Sequence, residues 1–234
     1  MVQSSSPVLA GFTGQVRLFP LPNVVLLPHV VQPLHIFEPR YCELLEDALA
    51  TDRLIALVRL EAGWERDYEC RPPIAPVACL GRIAAHQRTP EGTHKILLQG
   101  VRRAAIQREL PTARAFRQAE VDLLDDFYPP SGAATRPVTQ RRLIDLARQL
   151  LRDKTALQSQ LDELLASRIS LGVLTDIFGF TLGLDSTFKQ RLLAEWNVDR
   201  RATLLIENLS QHIAHTQRGV ALNQSRFPPA FSLN

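Results

Sequence analysis

The stretch "FPLPNVVLLPHVVQPLHIFEPRY", residues 19–41, decides which fold the sequence indicates. It places five prolines among β-branched and apolar residues, together with two histidines and one glutamate. Proline has no backbone donor, so the prolines predict an extended segment that a sheet tolerates at an edge or a bulge. A strand is expected over 34–37. A helix is expected over 39–51, with Pro39 in its first turn.

The same stretch invites two other interpretations, a metal site and a membrane segment. His29, His35 and Glu38 could be drawn as a metal triad. However, residues 35 and 38 of an extended strand point to opposite faces. The polar side chains also interrupt the apolar run, which is too short to cross a bilayer. We therefore expect surface or backbone-bonded histidines, with no metal, no cofactor and no membrane segment.

Composition indicates an ordinary globular protein of one large domain or two small ones. The chain has 234 residues, and 27 basic minus 24 acidic residues give a net charge of +3. The N-terminus does not have the pattern of a secretory signal. Cys42, Cys70 and Cys79 form no CxxC pair, which predicts reduced thiols in a cytoplasmic protein.

Residues 15–124 show the pattern of a small β-barrel. Short apolar runs are separated by proline, glycine and charge, and "TPEG" at 89–92 has the composition of a hairpin turn. Such spacing favours a barrel or rolled sheet over an alternating parallel sheet. With one early helix, six or seven strands are expected, including 34–37, 53–60, 77–88, 93–100, 101–110 and 115–124.

A proline-rich linker at 125–139 separates this region from a helical bundle at 140–217, with tails at 1–14 and 218–234. The expected fold class is therefore α+β. The segment 171–180 is apolar all round and is expected inside the bundle, with Asp185 and Asp199 capping two helices. The tail from Gly219 is expected to be irregular. Apolar stripes at helical spacing predict helices through two sets of residues: Leu143, Leu146, Ala147, Leu150 and Leu151, and Leu157, Leu161, Leu164 and Leu165.

Catalytic motifs are missing from the sequence. There is no GxxxxGK[ST] phosphate loop, no GxGxxG, no GxSxG and no HExxH. Lys154 and Lys189 have no recognisable serine partner, and Asp125 and Asp126 are expected in a solvated turn. No catalytic residue is therefore assigned.

One region carries an uneven charge. Between residues 82 and 117, eight Lys or Arg face only two Glu, a local charge of +6. Alternation along a strand predicts that Arg82, His86 and Arg88 share one face. Such a face could bind RNA or an acidic protein segment, or be simply the solvated outside of a barrel. The candidate binding residues are Arg82, His86, Arg88, Lys95, Arg102 and Arg103.

Three segments, in order along the chain, resemble the N-terminal domain of Lon proteases. The first is "RLFPLPNVVLLPHVVQPLHIFEPRY", and the second is "VACLGRIAAHQRTPEGTHKILLQGVRRAAI". The third is "FGFTLGLDSTFKQRLLAEWNVDRRATLLIENL", which resembles the family's closing helices. The residues that match family positions are Gly81, Gly92, Gly100, Arg102, Arg103, Lys189, Gln190, Leu193, Asp199 and Arg201.

The resemblance implies a PUA-like pseudo-barrel followed by a helical bundle. In Lon proteases this domain precedes an ATPase module and a serine–lysine peptidase module and is implicated in substrate recognition. The sequence shows neither module, so we expect a stand-alone domain that hydrolyses neither ATP nor peptides.

Three functions follow as hypotheses. The first is a module that binds unfolded or specific polypeptides, a protease or another protein, through an apolar groove between barrel and bundle. The alternative is an RNA-binding module. The third is a small-molecule binder or enzyme, because cereblon-type proteins also carry a Lon-like domain and His29, His35, His86 and Cys79 lie in the barrel half. A weak homo-oligomer is left open.

Overall fold

The computed structural model describes residue 9 and residues 11–66, 71–151 and 169–224, with side chains up to residue 215. Its strands are β1 (Gln15–Leu21), β2 (Val31–Ile36), β3 (Leu54–Arg59), β4 (Val77–Arg88), β5 (His94–Leu110) and β6 (Arg117–Leu124). Its helices are α1 (Pro39–Ala50), α2 (Arg136–Leu150), α3 (Leu171–Thr181), α4 (Ser186–Ala194) and α5 (Val198–Gln224). The α+β class predicted from the sequence is confirmed.

Five of the strands close into a barrel. The hydrogen-bonded order β5-β4-β3-β1-β6 returns to β5, because β5 also pairs with β6. Every pairing is antiparallel except that of β1 with β3. Small and branched side chains fill the interior, among them Leu18, Ala56, Val58, Leu80 and Ala119. Four of the five barrel strands contribute an alanine to this core: Ala56, Ala78, Ala104 and Ala119.

The sheet continues beyond the barrel as a three-stranded arm, made of β2, residues 94–99 of β5 and residues 82–88 of β4. Among the described strands, β2 pairs only with β5 and so has a free edge. Pro33 lies in the middle of β2, as expected of a proline in an edge strand. The strand covers 31–36 rather than the predicted 34–37, and it belongs to the arm instead of the closed barrel.

A second apolar core lies between the arm and α1. It combines Phe19 and Tyr41 with α1 residues, strand residues and the segment 25–30. Gly100 brings that segment close, because a Cβ on it would lie 2.0 Å from the Leu27 carbonyl oxygen. The Gly100 N–H donates to the Val30 carbonyl over 2.8 Å. Glycine is therefore required at this position.

Gly100 also explains an error in the strand prediction. Residues 93–100 and 101–110 were expected as two strands, but β5 runs through both. The pairing register between β4 and β5 shifts at Leu80/Gly81, so the strand passes a bulge instead of ending. A glycine within a strand marks a bulge or a close backbone approach as readily as a turn.

The helical part follows the predicted pattern with three corrections. α2 begins at Arg136, inside the predicted linker, since Pro137 occupies the first turn, where proline is tolerated. Asn197, not Asp199, caps α5: its side-chain oxygen accepts from the N–H groups of residues 199 and 200. α5 continues to Gln224, past the predicted irregular tail at Gly219, since one glycine costs a helix only about 1 kcal/mol.

Other helical predictions are confirmed or lie outside the described residues. α3 is buried along most of its length, as its apolar composition predicted. Leu143 and Ala147 of the first stripe lie in the bundle core. The second stripe, Leu157 to Leu165, falls in the part of the chain that the structure does not describe.

Asp185 caps α4 as predicted, because its carboxylate accepts from the Phe188 N–H over 2.9 Å. We expect Asp185→Ala to lower the free energy of unfolding by about 1 kcal/mol. Asp145→Ala on the exposed face of α2 is the control, with an expected change within about 0.5 kcal/mol. Urea unfolding measures both. Equal effects of the two substitutions would contradict the cap.

Candidate functional site

One face of the arm is open to solvent, and we call it the outer arm face. Residues directly opposite each other on paired strands share a face, which gives three rows across β2, β5 and β4. The middle row is Pro33, Leu97 and Ala85. The flanking rows are His35, Lys95 and Gln87, and Val31, Gln99 and Arg82. The outer arm face therefore has an apolar centre between two more polar rows.

A groove of about 650 Å³ lies on this face. Six residues of the outer arm face line it, together with their neighbours Leu34, His86 and Ile96. Val31 and Leu97 are 43% and 42% exposed, unusual values for large apolar side chains within a sheet. The apolar groove thus lies on the arm, not between barrel and bundle as expected. Such a surface is typical of a binding site for another molecule.

The outer arm face carries positive charge without negative charge. Arg82 and Lys95 belong to its polar rows and are exposed, and none of its nine residues is Asp or Glu. An apolar ligand segment with acidic side chains would match both properties of the face.

A bulge in β4 separates the residues of the predicted basic face. The register with β5 shifts between Ile83 and Ala85, so Arg82 lies opposite Gln99, whereas His86 lies opposite Ile96. One extra residue in a strand reverses the alternation beyond it. His86 and Arg88 therefore lie on the face opposite to Arg82, and the prediction of a shared face is wrong.

His86 instead pairs with a second histidine. Its Nε2 lies 2.9 Å from Nδ1 of His94, and the two rings are stacked. Partial burial, the His94 ring and Arg53 lower the pKa of His86 below its usual value of 6.5. One imidazole must donate and the other accept in this contact, so the pair cannot hold two fully protonated rings.

Arg103 is not on an exposed face either. It is only 2% exposed, and its guanidinium forms an ion pair with the fully buried Asp176 of α3. Its Nε also donates to the Leu193 carbonyl over 3.1 Å. Arg102, the neighbouring candidate, pairs with the exposed Asp125. The binding role predicted for Arg103 therefore gives way to a structural one at the junction of barrel and bundle.

Arg103 belongs to a balanced cluster of four charges, three of them buried and the fourth, Asp126, partly buried. Arg201 of α5 donates through Nη2 to both oxygens of Asp126, at 2.9 and 2.8 Å, and its Nε lies 3.5 Å from Asp176. Asp126 also accepts from Arg103 over 3.2 Å. Burial opposes the charge on Arg103, yet the two carboxylates hold the pKa of its guanidinium above the usual value. Two positive and two negative groups thus join the barrel to the helices.

Gly172 makes room for this cluster. A Cβ at Gly172 would lie 2.1 Å from an Asp126 carboxylate oxygen and 3.2 Å from the Arg201 guanidinium. The first turn of α3 can therefore approach the charges only because residue 172 has no side chain.

The remaining sequence candidates are dispersed. His35 Nε2 lies 2.7 Å from the Thr93 hydroxyl, and Glu38 pairs with Arg40. Cys79 is fully buried, which raises the pKa of its thiol. Within the described ranges, no three His, Cys, Asp or Glu residues lie close enough to hold a metal ion. Nor does any described helix have the length and apolarity needed to cross a bilayer.

The chain thus combines a barrel, a sheet arm with an exposed apolar groove and a helical bundle. The family model described as "ATP-dependent protease La (LON) substrate-binding domain" matches residues 15–211. The chain therefore belongs to the Lon substrate-binding domain family.

Curated relatives agree with this assignment. The Lon protease of Xanthomonas oryzae pv. oryzae is 28% identical over 88% of this chain. Lon protease 2 of Herpetosiphon aurantiacus is 27% identical, also over 88% of this chain. The aligned region spans only 23% and 25% of those relatives, about a quarter of their length.

Solved structures show the same fold. The N-terminal domain of Mycobacterium avium complex Lon protease superposes with a TM-score of 0.67 at 21% identity, covering 85% of this chain and 99% of that one. A Lon N-terminal domain protein from Xanthomonas campestris gives 0.57 at 23% identity, covering 82% of this chain and 97% of that one.

Removing the carboxylate of Asp176 tests the buried cluster. Asp176→Asn leaves two buried guanidinium groups with one carboxylate, and we expect the free energy of unfolding to fall by about 3–5 kcal/mol. Glu120→Gln is the control, because it removes the exposed partner of Arg108 and should cost at most about 1 kcal/mol. Urea unfolding followed by tryptophan fluorescence compares them. A similar small effect of both would show that the cluster does not join the two parts.

The histidine pair should be visible in solution. We expect the pKa of His86, measured by NMR titration, to lie below 6.5 and to rise in His94→Asn, which removes the neighbouring ring. In the wild-type protein, a lowered pKa means that His86 binds fewer protons in the folded state than in the unfolded state. Its contribution to stability therefore falls as the pH drops below about 6.5. A pKa of His86 at or above 6.5, or one unchanged by the substitution, would contradict the pair.

Proposed function

We propose that the protein is a non-catalytic module that binds polypeptide segments on the outer arm face, as a recognition or adaptor component related to ATP-dependent proteolysis. The observation that carries this proposal is the groove around Leu97, on a chain that belongs to a substrate-binding family. The relatives are Lon proteases, and this chain corresponds to a quarter of each. A protease is therefore the partner that such a module would serve.

The apolar row supports binding through side chains. Leu97 stands between Pro33 and Ala85, so a ligand side chain lying on it would also contact both neighbours. Removing about 100 Å² of apolar surface from water contributes roughly 2.5 kcal/mol. An unfolded polypeptide offers such side chains, whereas a folded soluble protein buries most of them.

Pro33 argues against binding by strand addition at the arm edge. A peptide that extends a sheet needs a row of backbone donors and acceptors on the edge strand. Pro33 interrupts the donors in the middle of β2, and proline in an edge strand hinders such pairing. The face of the arm, not its edge, is then the binding surface.

The positive charge of the outer arm face favours acidic polypeptides. Lys95 lines the groove, Arg82 lies in a flanking row, and none of the nine residues of the outer arm face is acidic. A segment that alternates apolar and acidic residues would place opposite charges against them, mainly increasing the rate and specificity of association.

The test measures binding of a permanently unfolded, acidic polypeptide, fluorescein-labelled and carboxymethylated α-lactalbumin, by fluorescence anisotropy. We expect saturable binding that Val31→Ser combined with Leu97→Ser weakens roughly tenfold, because two apolar contacts are lost. Val138→Ser is the matched control, since Val138 is an exposed apolar residue of α2, away from the arm.

A labelled single-stranded RNA is measured in parallel at about 50 mM salt. Salt-dependent binding of RNA without binding of the polypeptide would replace the proposal by the RNA alternative. Equal polypeptide affinity in the double variant and the wild type would show that the outer arm face is not the binding surface.

A further inference from the structure

A second pocket lies where the first turn of α1 meets β1 and the start of β6. It encloses about 280 Å³ and is separate from the groove of the arm. Three of its lining residues are arginines, and two are buried aromatic residues. The lining consists of Pro20, Arg40, Tyr41, Arg71, Ala115, Phe116 and Arg117.

Arg117 is held in a fixed position at this pocket. It is 8% exposed. Its Nε donates to Glu109 over 2.8 Å, its Nη2 donates to the same carboxylate, and its Nη1 donates to the Pro72 carbonyl over 2.8 Å. A guanidinium has five N–H donors, and these bonds use three of them. Arg117 therefore keeps a buried positive charge with two N–H groups beyond those bonds.

Arg40 is fixed by different contacts. Its Nη2 donates to Glu38 over 2.8 Å, and its guanidinium lies 4.8 Å from the centre of the Tyr41 ring. The Tyr41 hydroxyl in turn donates to the Pro20 carbonyl over 3.0 Å, which holds the ring. Glu38 is the N-cap residue of α1, so its carboxylate lies at the helix start and fixes Arg40 in the first turn.

Arg71 provides the charge that these pairs do not compensate. It is exposed, and it forms no ion pair with any residue that the structure describes. Among the described residues, Glu38 and Glu109 balance Arg40 and Arg117, and Arg71 adds one further positive charge. Two pre-oriented guanidinium groups and one exposed guanidinium are the arrangement that receives an oxyanion.

We propose that this pocket binds an oxyanion, either a carboxylate or a phosphate group, between Arg40, Arg71 and Arg117. Its volume of about 280 Å³ is at the small end of the roughly 300–1,000 Å³ typical of sites for organic ligands. The ligand is therefore a small anionic group, free or on the end of a side chain. The inference does not depend on polypeptide binding at the outer arm face.

The test uses the intact chain and NMR of the arginine side-chain Nε–Hε groups. Inorganic phosphate and N-acetylglutamate are titrated separately at matched ionic strength. We expect saturable shifts of the pocket arginines, and a roughly tenfold weaker affinity in Arg71→Gln, which loses a charge-assisted hydrogen bond. Tighter binding of phosphate or of N-acetylglutamate identifies which source of oxyanion the pocket prefers.

Arg142→Gln is the matched control, because Arg142 is an exposed arginine of α2 in the helical part. It should leave the affinity unchanged. Thermal unfolding of each variant confirms that the fold is retained, as expected for an exposed side chain. Shifts that do not saturate with either probe, or the same affinity in Arg71→Gln as in the wild type, would overturn the proposal.

Discussion

The relation between barrel and bundle depends on the cluster formed by three buried charges, Arg103, Arg201 and Asp176, with the partly buried Asp126. A guanidinium stays charged at any accessible pH, so burying two of them requires carboxylates at fixed positions. One carboxylate comes from α3 and the other from the segment after β6. The hydrophobic effect has no directional preference, whereas paired charges with directional hydrogen bonds define a single arrangement. The cluster thus fixes where the helices sit.

The junction between barrel and bundle also supports the arm, because strand β5 contributes residues to both. Arg103 is anchored in the barrel half of the strand, and Leu97 stands in the arm half. α1 and the segment 25–30 support the arm from its inner side through an apolar core. The outer side can therefore remain exposed without losing its shape. A rigid support for an exposed apolar surface is what a recognition module requires.

Periodicity predicted the two regimes of the chain, the buried α3 and the cap at Asp185, because each depends on local sequence alone. The resemblance supplied the family, and its matching positions Arg103 and Arg201 meet at the junction.

The sequence could not show the bulge after Ile83. One inserted residue leaves no mark in the composition, yet it moves every later side chain of the strand to the other face. It also could not show that Arg103 is buried, because its partners lie far along the chain. The exposure of Leu97 was missed for the same reason: the order of the strands determines which face is covered.

The pairing of β1 with β6 also has a consequence for how the chain folds. Gln15 lies opposite Glu120, so the barrel closes by joining its earliest strand to its last. On a ribosome, β1 emerges long before β6 exists, and one of its two neighbours is missing throughout that interval. Contacts between such distant residues form slowly, because a long loop must close first. During synthesis, β1 therefore keeps an unpaired edge until β6 is made, and the barrel can close only after residue 124 has been added.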